Sequence, residues 1–105
     1  MISSVQIEQA AETLRHAAPS ATIILFGSHA RGDAGRDSDV DFLIIETELK
    51  ERRREMARLA RTLRPLRIRA DVLVFSRRTY DEWSQIPGTV MHAAAKEGKV
   101  LNAGE

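Results

Sequence analysis

Between Phe26 and Ile45 the chain reads FGSHARGDAGRDSDVDFLII. An apolar run from Ala21 to Phe26 stops at a Gly-Ser pair, and ten residues later Asp39-Val40-Asp41 opens a second apolar run that lasts to Ile45. Short apolar runs bounded by turn residues predict buried strands. A glycine placed directly after a strand can take backbone angles closed to other residues and so turn the chain sharply. Successive side chains on a strand point to opposite faces, so Asp39 and Asp41 project together while Val40 and Phe42 turn to the core. Any fold of this chain must therefore hold two like charges at one strand end, beside a sharp turn.

The rest of the chain supplies the layers around these strands. Ser3, with Gln6 three residues later, predicts a capping box, and Ile7, Ala11, Leu14 and Ala18 recur at helical spacing up to Pro19. A second helix is expected from Glu48 to Arg64, with Leu49, Met56, Leu59, Ala60 and Leu63 as its apolar stripe and Pro65 as its stop. Leu66 to Phe75 alternates as a third strand. Thr79 to Ser84 suggests a short helix, Pro87 and Gly98 bracket another in GTVMHAAAKE, and Val100-Leu101 would add an edge strand. Helix, strand, strand, helix, strand, helix is the order of an α/β (α+β) domain with helices packed against one sheet.

Composition narrows the function classes. A chain of 105 residues suits one domain, taken as 1–105. Sixteen basic residues against fifteen acidic ones leave a net charge of +1, so bulk charge gives no reason to expect nucleic acid as a partner. There is no cysteine, which excludes disulfides and thiolate metal sites. The first residues lack the basic and apolar regions of a signal peptide, and no run is long enough to cross a bilayer. The expected setting is the cytoplasm, away from membranes.

Two carboxylates held side by side repel unless a cation lies between them. Hard divalent ions such as Mg²⁺ take one or two carboxylates plus substrate phosphates, so Asp39 and Asp41 form half of a metal site. Asp71 adds to it: in the strand RIRADVLVF an acid is costly to bury unless it is paired or ligates a metal. If that strand lies beside the second one, three carboxylates converge; an ion pair with Arg67 or Arg69 is the other reading. The Gly27-Ser28 turn offers backbone N–H groups and a hydroxyl to phosphate oxygens.

Gly27-Ser28, ten intervening residues that include Ala30-Arg31-Gly32, and Asp39-Val40-Asp41 closely resemble the signature of the polymerase-β-like nucleotidyltransferases. The compact chain looks like the minimal members of that superfamily. The resemblance covers Ala21 to Phe75 and, more loosely, Glu97 to Leu101. It implies a small mixed sheet with flanking helices. It also implies binding of the triphosphate at Gly27 and Ser28, with Arg31 steadying the turn or touching phosphate, and two Mg²⁺ ions on Asp39, Asp41 and Asp71. Asp71 would help remove the acceptor hydroxyl's proton. Minimal nucleotidyltransferases of this kind are commonly paired with a HEPN-type RNase toxin. The implied reaction is transfer of AMP from ATP to a tyrosine hydroxyl of that partner, in a hetero-oligomer where this chain is the antitoxin. The alternative is an antitoxin that neutralises its partner by binding alone.

Other residues carry weaker signals. His29 is expected to face solvent. The Arg-rich segment around Arg52, Arg54, Arg58 and Arg61 reads as a solvated helix face, with Glu51 and Glu55 placed to pair with Arg54 and Arg58 at i,i+3.

Overall fold

The computed structural model describes residues 1–104. Helix α1 spans Ser4–Ala17 and opens on the expected capping box, in which Ser3 Oγ accepts from the Gln6 amide and Gln6 Oε1 accepts from the Ser3 amide. Strand β1 (Thr22–Phe26) runs into a single helical turn, α2 (Ser28–Arg31), and strand β2 follows at Val40–Glu46. Helix α3 (Arg52–Thr62) then leads through a 3-10 turn at Arg64–Leu66 to strand β3 (Ala70–Ser76). Helices α4 (Arg77–Trp83) and α5 (Val90–Glu97) and strand β4 (Lys99–Asn102) complete the order.

The strands form one sheet in the order β3-β2-β1-β4. β1 is antiparallel to both β2 and β4, whereas β2 and β3 are parallel. A parallel pair needs a crossover, and α3 supplies it. The result is a mixed sheet with flanking helices, as the resemblance implied.

Both faces of the sheet are covered, which is why β1 and β2 read as near-continuous apolar runs. Val40, Phe42, Ile44, Val72 and Val74 join Leu14 of α1 and Leu59 of α3 on one face. On the other, Ile24, Phe26, Leu43 and Ile45 meet Met91 and Ala94 of α5, with Tyr80 of α4 at the margin. Among the described residues no helix is long and apolar enough to cross a membrane.

The short helix expected at Thr79 to Ser84 is α4, which starts two residues earlier because Ser76 caps it by accepting from the Thr79 amide. Three further boundaries differ from expectation, each for a local reason. α3 begins at Arg52 and not at Glu48; Arg52 donates from Nε to the Val74 carbonyl (2.6 Å) and stacks over the Phe75 ring (4.3 Å), which pins the helix start to β3. Leu49 lies outside the helix but still packs on the core, while Ala60 is exposed. Pro65 does not close α3: the helix ends at Thr62, and Pro65 sits inside the 3-10 turn. β3 starts at Ala70 and not at Leu66 because Arg67 takes a left-handed conformation (φ 52°, ψ 39°) that no strand accommodates.

Candidate active site

β2 and β3 run in register, with Asp41 directly opposite Asp71 and Val40 opposite Ala70. Residues opposite each other on neighbouring strands point to the same face, so the two carboxylates stand side by side. Asp39, two residues earlier, projects to that face as well. The structure thus brings the three acids named from the sequence to one end of one sheet face. They sit at the margin of the cluster formed by Phe26 and Leu43, beyond the cover of α5.

Their surroundings differ. Asp71 is exposed, contrary to the expectation of a buried acid in an apolar strand, because it lies at the solvent end of an edge strand. It makes no pair with Arg67 or Arg69. Arg69 turns instead to Asp39, with Nε 3.0 Å from Oδ1. That contact is an ion pair without hydrogen-bond geometry, since the same oxygen is buried and has no hydrogen-bond partner. Asp41 is half-buried, and its carboxyl is pushed above the usual carboxylate range. Burial is the main cause, followed by the negative charges of Asp71 and Asp39, while His29 and Arg31 pull it back.

Gly27 locks the turn against these acids. Its backbone (φ 76°, ψ −157°) is closed to other residues, and a Cβ there would lie 2.3 Å from Asp41 Oδ2. The Gly27 carbonyl accepts from the amides of both Ala30 and Arg31, which closes α2. The first amides of a helix find no acceptor within it, so those of Ser28 and His29 are left without a helical partner next to the Gly27 turn. His29 is not simply solvated: Nε2 lies 3.2 Å from the Ser38 carbonyl and ties the turn to the segment before Asp39. Arg31 is held by Asp33 (Nε to Oδ2, 3.1 Å) and by Glu97 at the end of α5 (Nη1 to Oε1, 2.9 Å). Glu97 was legible only as part of the closing E-G-K-V-L; its contact joins two segments far apart in sequence.

The donor set fits a hard divalent ion. It consists of carboxylate oxygens alone, one of them an orphaned buried atom, and their mutual repulsion is relieved by a cation. Among the described residues, no three such side chains close around one point as placed. The remaining ligands would therefore come from phosphate oxygens and water, as is usual for magnesium at nucleotide sites.

A family model described as a nucleotidyltransferase domain matches residues 7–100. No curated protein sequence matches the chain. Solved structures share the fold. A toxin–antitoxin complex with AMP-PNP is 22% identical (TM-score 0.66, covering 93% of this chain and 74% of that one). A mutant MntA–HpeT toxin–antitoxin pair is also 22% identical (TM-score 0.60, 94% and 73%). A complex of a tri-AMPylated Shewanella oneidensis HEPN toxin with an MNT antitoxin is 20% identical (TM-score 0.51, 94% and 71%).

Proposed function

This chain belongs to the nucleotidyltransferase-domain family, and we propose that it is a minimal cytoplasmic enzyme that transfers AMP from ATP to a tyrosine hydroxyl of a HEPN-type toxin partner. In doing so it acts as the partner's antitoxin. The observation that carries this reading is the register of β2 and β3, which sets Asp41 beside Asp71 with Asp39 two residues away and Gly27 packed on Asp41.

Each residue has a part in such a transfer. The Gly27-Ser28 turn holds the triphosphate through backbone amides and the Ser28 hydroxyl, close to the acids because glycine leaves no Cβ between them. Arg31, anchored by Asp33 and Glu97, steadies that turn. Asp39, Asp41 and Asp71 would hold two Mg²⁺ ions. When bound, such a pair stabilises charge on the attacking and leaving oxygens of an in-line displacement. Asp71, exposed at the sheet edge, is accessible to an acceptor and takes the proton from its hydroxyl. The acceptor oxygen then bonds to the α-phosphorus as the bond to pyrophosphate breaks.

Co-expression with the toxin partner in the presence of ATP and Mg²⁺ tests the proposal by mass spectrometry. The partner should gain the mass of AMP, and Asp41→Asn should abolish the gain. An unchanged partner mass with all four nucleoside triphosphates would sink it. A second reading, neutralisation by binding alone, is favoured by the contact of Arg69 with Asp39, which occupies one acid. It predicts that the Asp39→Asn, Asp41→Asn double variant still protects cells from the toxin.

A further inference from the structure

Behind the acidic end, on the sheet face that carries α1, a cavity of about 230 Å³ opens between the start of α1 and the segments that precede β2 and β3. Three arginines, Arg36, Arg67 and Arg69, are among its lining residues, together with Ile2, Gln6 and Ile68. Asp37 is the one carboxylate in the lining, so positive charge prevails. Among the described residues Arg36 and Arg67 make no ion pair or hydrogen bond through their side chains, in contrast to Arg15, Arg31 and Arg58, which are committed to carboxylates.

The backbone presents both free arginines deliberately. Arg36 stands at the corner of a tight turn closed by Gly35 and Ser38, where the Ser38 amide donates to the Gly35 carbonyl (3.2 Å) and Ser38 Oγ accepts from the Gly35 amide (2.8 Å). Arg67 is the only non-glycine residue with positive φ among the described residues. Its amide caps the 3-10 turn by donating to the Arg64 carbonyl (3.0 Å), and this left-handed cap fixes where its side chain leaves the backbone.

We propose that this groove receives an acidic, apolar-flanked segment of the acceptor polypeptide, whose chain then passes round the strand starts at Arg69 to bring its hydroxyl to the carboxylates on the other face. Arginine forks match carboxylates in bidentate geometry, and Ile2 and Ile68 offer aliphatic surface between them. A polypeptide is favoured over RNA because no aromatic ring lines the groove; Tyr80 of α4 packs at the margin of the other face, and Trp83 of the same helix is exposed. Single-stranded bases are held chiefly by such stacking. Arg69 connects the groove to the site, since it also touches Asp39. An incoming carboxylate draws Arg69 away and releases Asp39 for its part in transfer, a consequence that rests on the nucleotidyltransferase reading above.

Fluorescence anisotropy tests this on the full chain, without nucleotide or metal. The probes are a labelled Glu-Glu-Leu-Tyr-Leu-Glu-Glu peptide, its glutamine counterpart, and a short labelled oligouridylate. The acidic peptide should bind in a salt-sensitive manner, and the glutamine peptide should not. Arg36→Ala combined with Arg67→Gly should weaken binding by at least about tenfold. Arg67→Gly suits its left-handed backbone, so the variant folds, and thermal unfolding verifies this. Equal binding of the glutamine peptide, undiminished binding by the variant, or tighter oligouridylate binding that falls with the same substitutions would each overturn the proposal. Asp41→Asn should bind the peptide as well as the parent does. Intact peptide binding without AMP transfer would thus count against the catalytic reading alone, and transfer without peptide binding against the groove alone.

Discussion

Strand β2 has carboxylates at both of its ends, about 20 Å apart, and the two ends resolve the same problem in opposite ways. At the far end, Glu46 meets Glu55 of α3, and Arg58 grips Glu55 with Nε on Oε1 and Nη2 on Oε2, both at 2.7 Å. Arg58 Nη2 also donates to the Ala17 carbonyl (3.0 Å), which ties α3 to the end of α1. Burial and the neighbouring Glu55 raise the Glu46 carboxyl to about 7, while Arg58 lowers Glu55 to about 2. With Glu46 raised so that it tends to keep its proton, and with Arg58 on Glu55, the pair carries less net negative charge than two free carboxylates. At the near end Asp39, Asp41 and Asp71 have no such settlement: one solvent-facing arginine leans on Asp39, and the other two face each other. The larger cavity, about 560 Å³, lies at the settled end, lined by Glu46, Arg58 and the segment before β1. Cavity size and chemistry therefore part company. Glu46 Oε2 is itself buried without a hydrogen-bond partner, as Asp39 Oδ1 is, so the ends differ in how charge is met. A retained proton and the Arg58 guanidinium take it up at the far end, whereas the proposed site leaves it to a ligand from outside.

The largest expected effect would break this contrast most directly. Asp41→Asn should lower the proposed AMP transfer roughly a thousandfold, about 4 kcal/mol of barrier. It should leave the melting temperature unchanged or raised at pH 8, because it removes a charge that its neighbours oppose. Activity assays with parallel thermal unfolding read both quantities. A variant that loses stability along with activity would show that Asp41 is structural, and that the two ends do not differ in kind.

Next in size is the turn. Gly27→Ala would drive a Cβ into Asp41 Oδ2 and force an L-residue into a left-handed region, with an expected loss of about 1–3 kcal/mol of stability and a marked fall in transfer. Gly32→Ala supplies the comparison. Gly32 also has positive φ, at 85°, but nothing lies within 4 Å of its added Cβ, so only the backbone cost of about 1 kcal/mol remains. Denaturant unfolding of the pair measures the difference. If both variants lose equally, the packing of Gly27 on the acid carries no weight.

Much of this is legible in the amino-acid sequence. The Gly-Ser turn, the apolar runs and Asp39-Val40-Asp41 located the near end because local chemistry and strand alternation dictate them. The capping box at Ser3 and Gln6 and the pairs of Glu51 with Arg54 and Glu55 with Arg58 formed as spacing required. Asp71 was placed by assuming that β3 lies beside β2, and their parallel register is what set it opposite Asp41. What sequence could not display was contact between distant segments. The grip of Glu97 on Arg31 spans 66 positions, and the reach of Arg69 to Asp39 spans the two strand starts. Arg52 fixed the start of α3 through a carbonyl of β3, which no periodicity reports. Nor could spacing reveal that Pro65 would sit within a 3-10 turn, or that Arg67 would turn left-handed and delay β3.

The smallest expected effect sharpens the far end. In the folded chain Glu46 is held up to about 7, whereas an unfolded glutamate titrates near its ordinary 4.5. Between these values the folded state keeps a proton that the unfolded chain has lost, so stability falls as pH rises from about 4.5 to about 7. Glu55 works with the opposite sign: its stabilisation is fully present above 4.5 and is lost as pH falls towards about 2. Glu46→Gln should flatten only the upper flank, because the amide never ionises. Solvent around this half-buried pair limits the gain at pH 8 to about 1 kcal/mol, or about 4–8 °C in melting temperature. The proposed transfer, assigned to the other end of the strand, should be unchanged. A Glu46→Gln variant that melts along the parent's curve between pH 5 and pH 8 would mean that the far carboxylates are no better settled than the near ones.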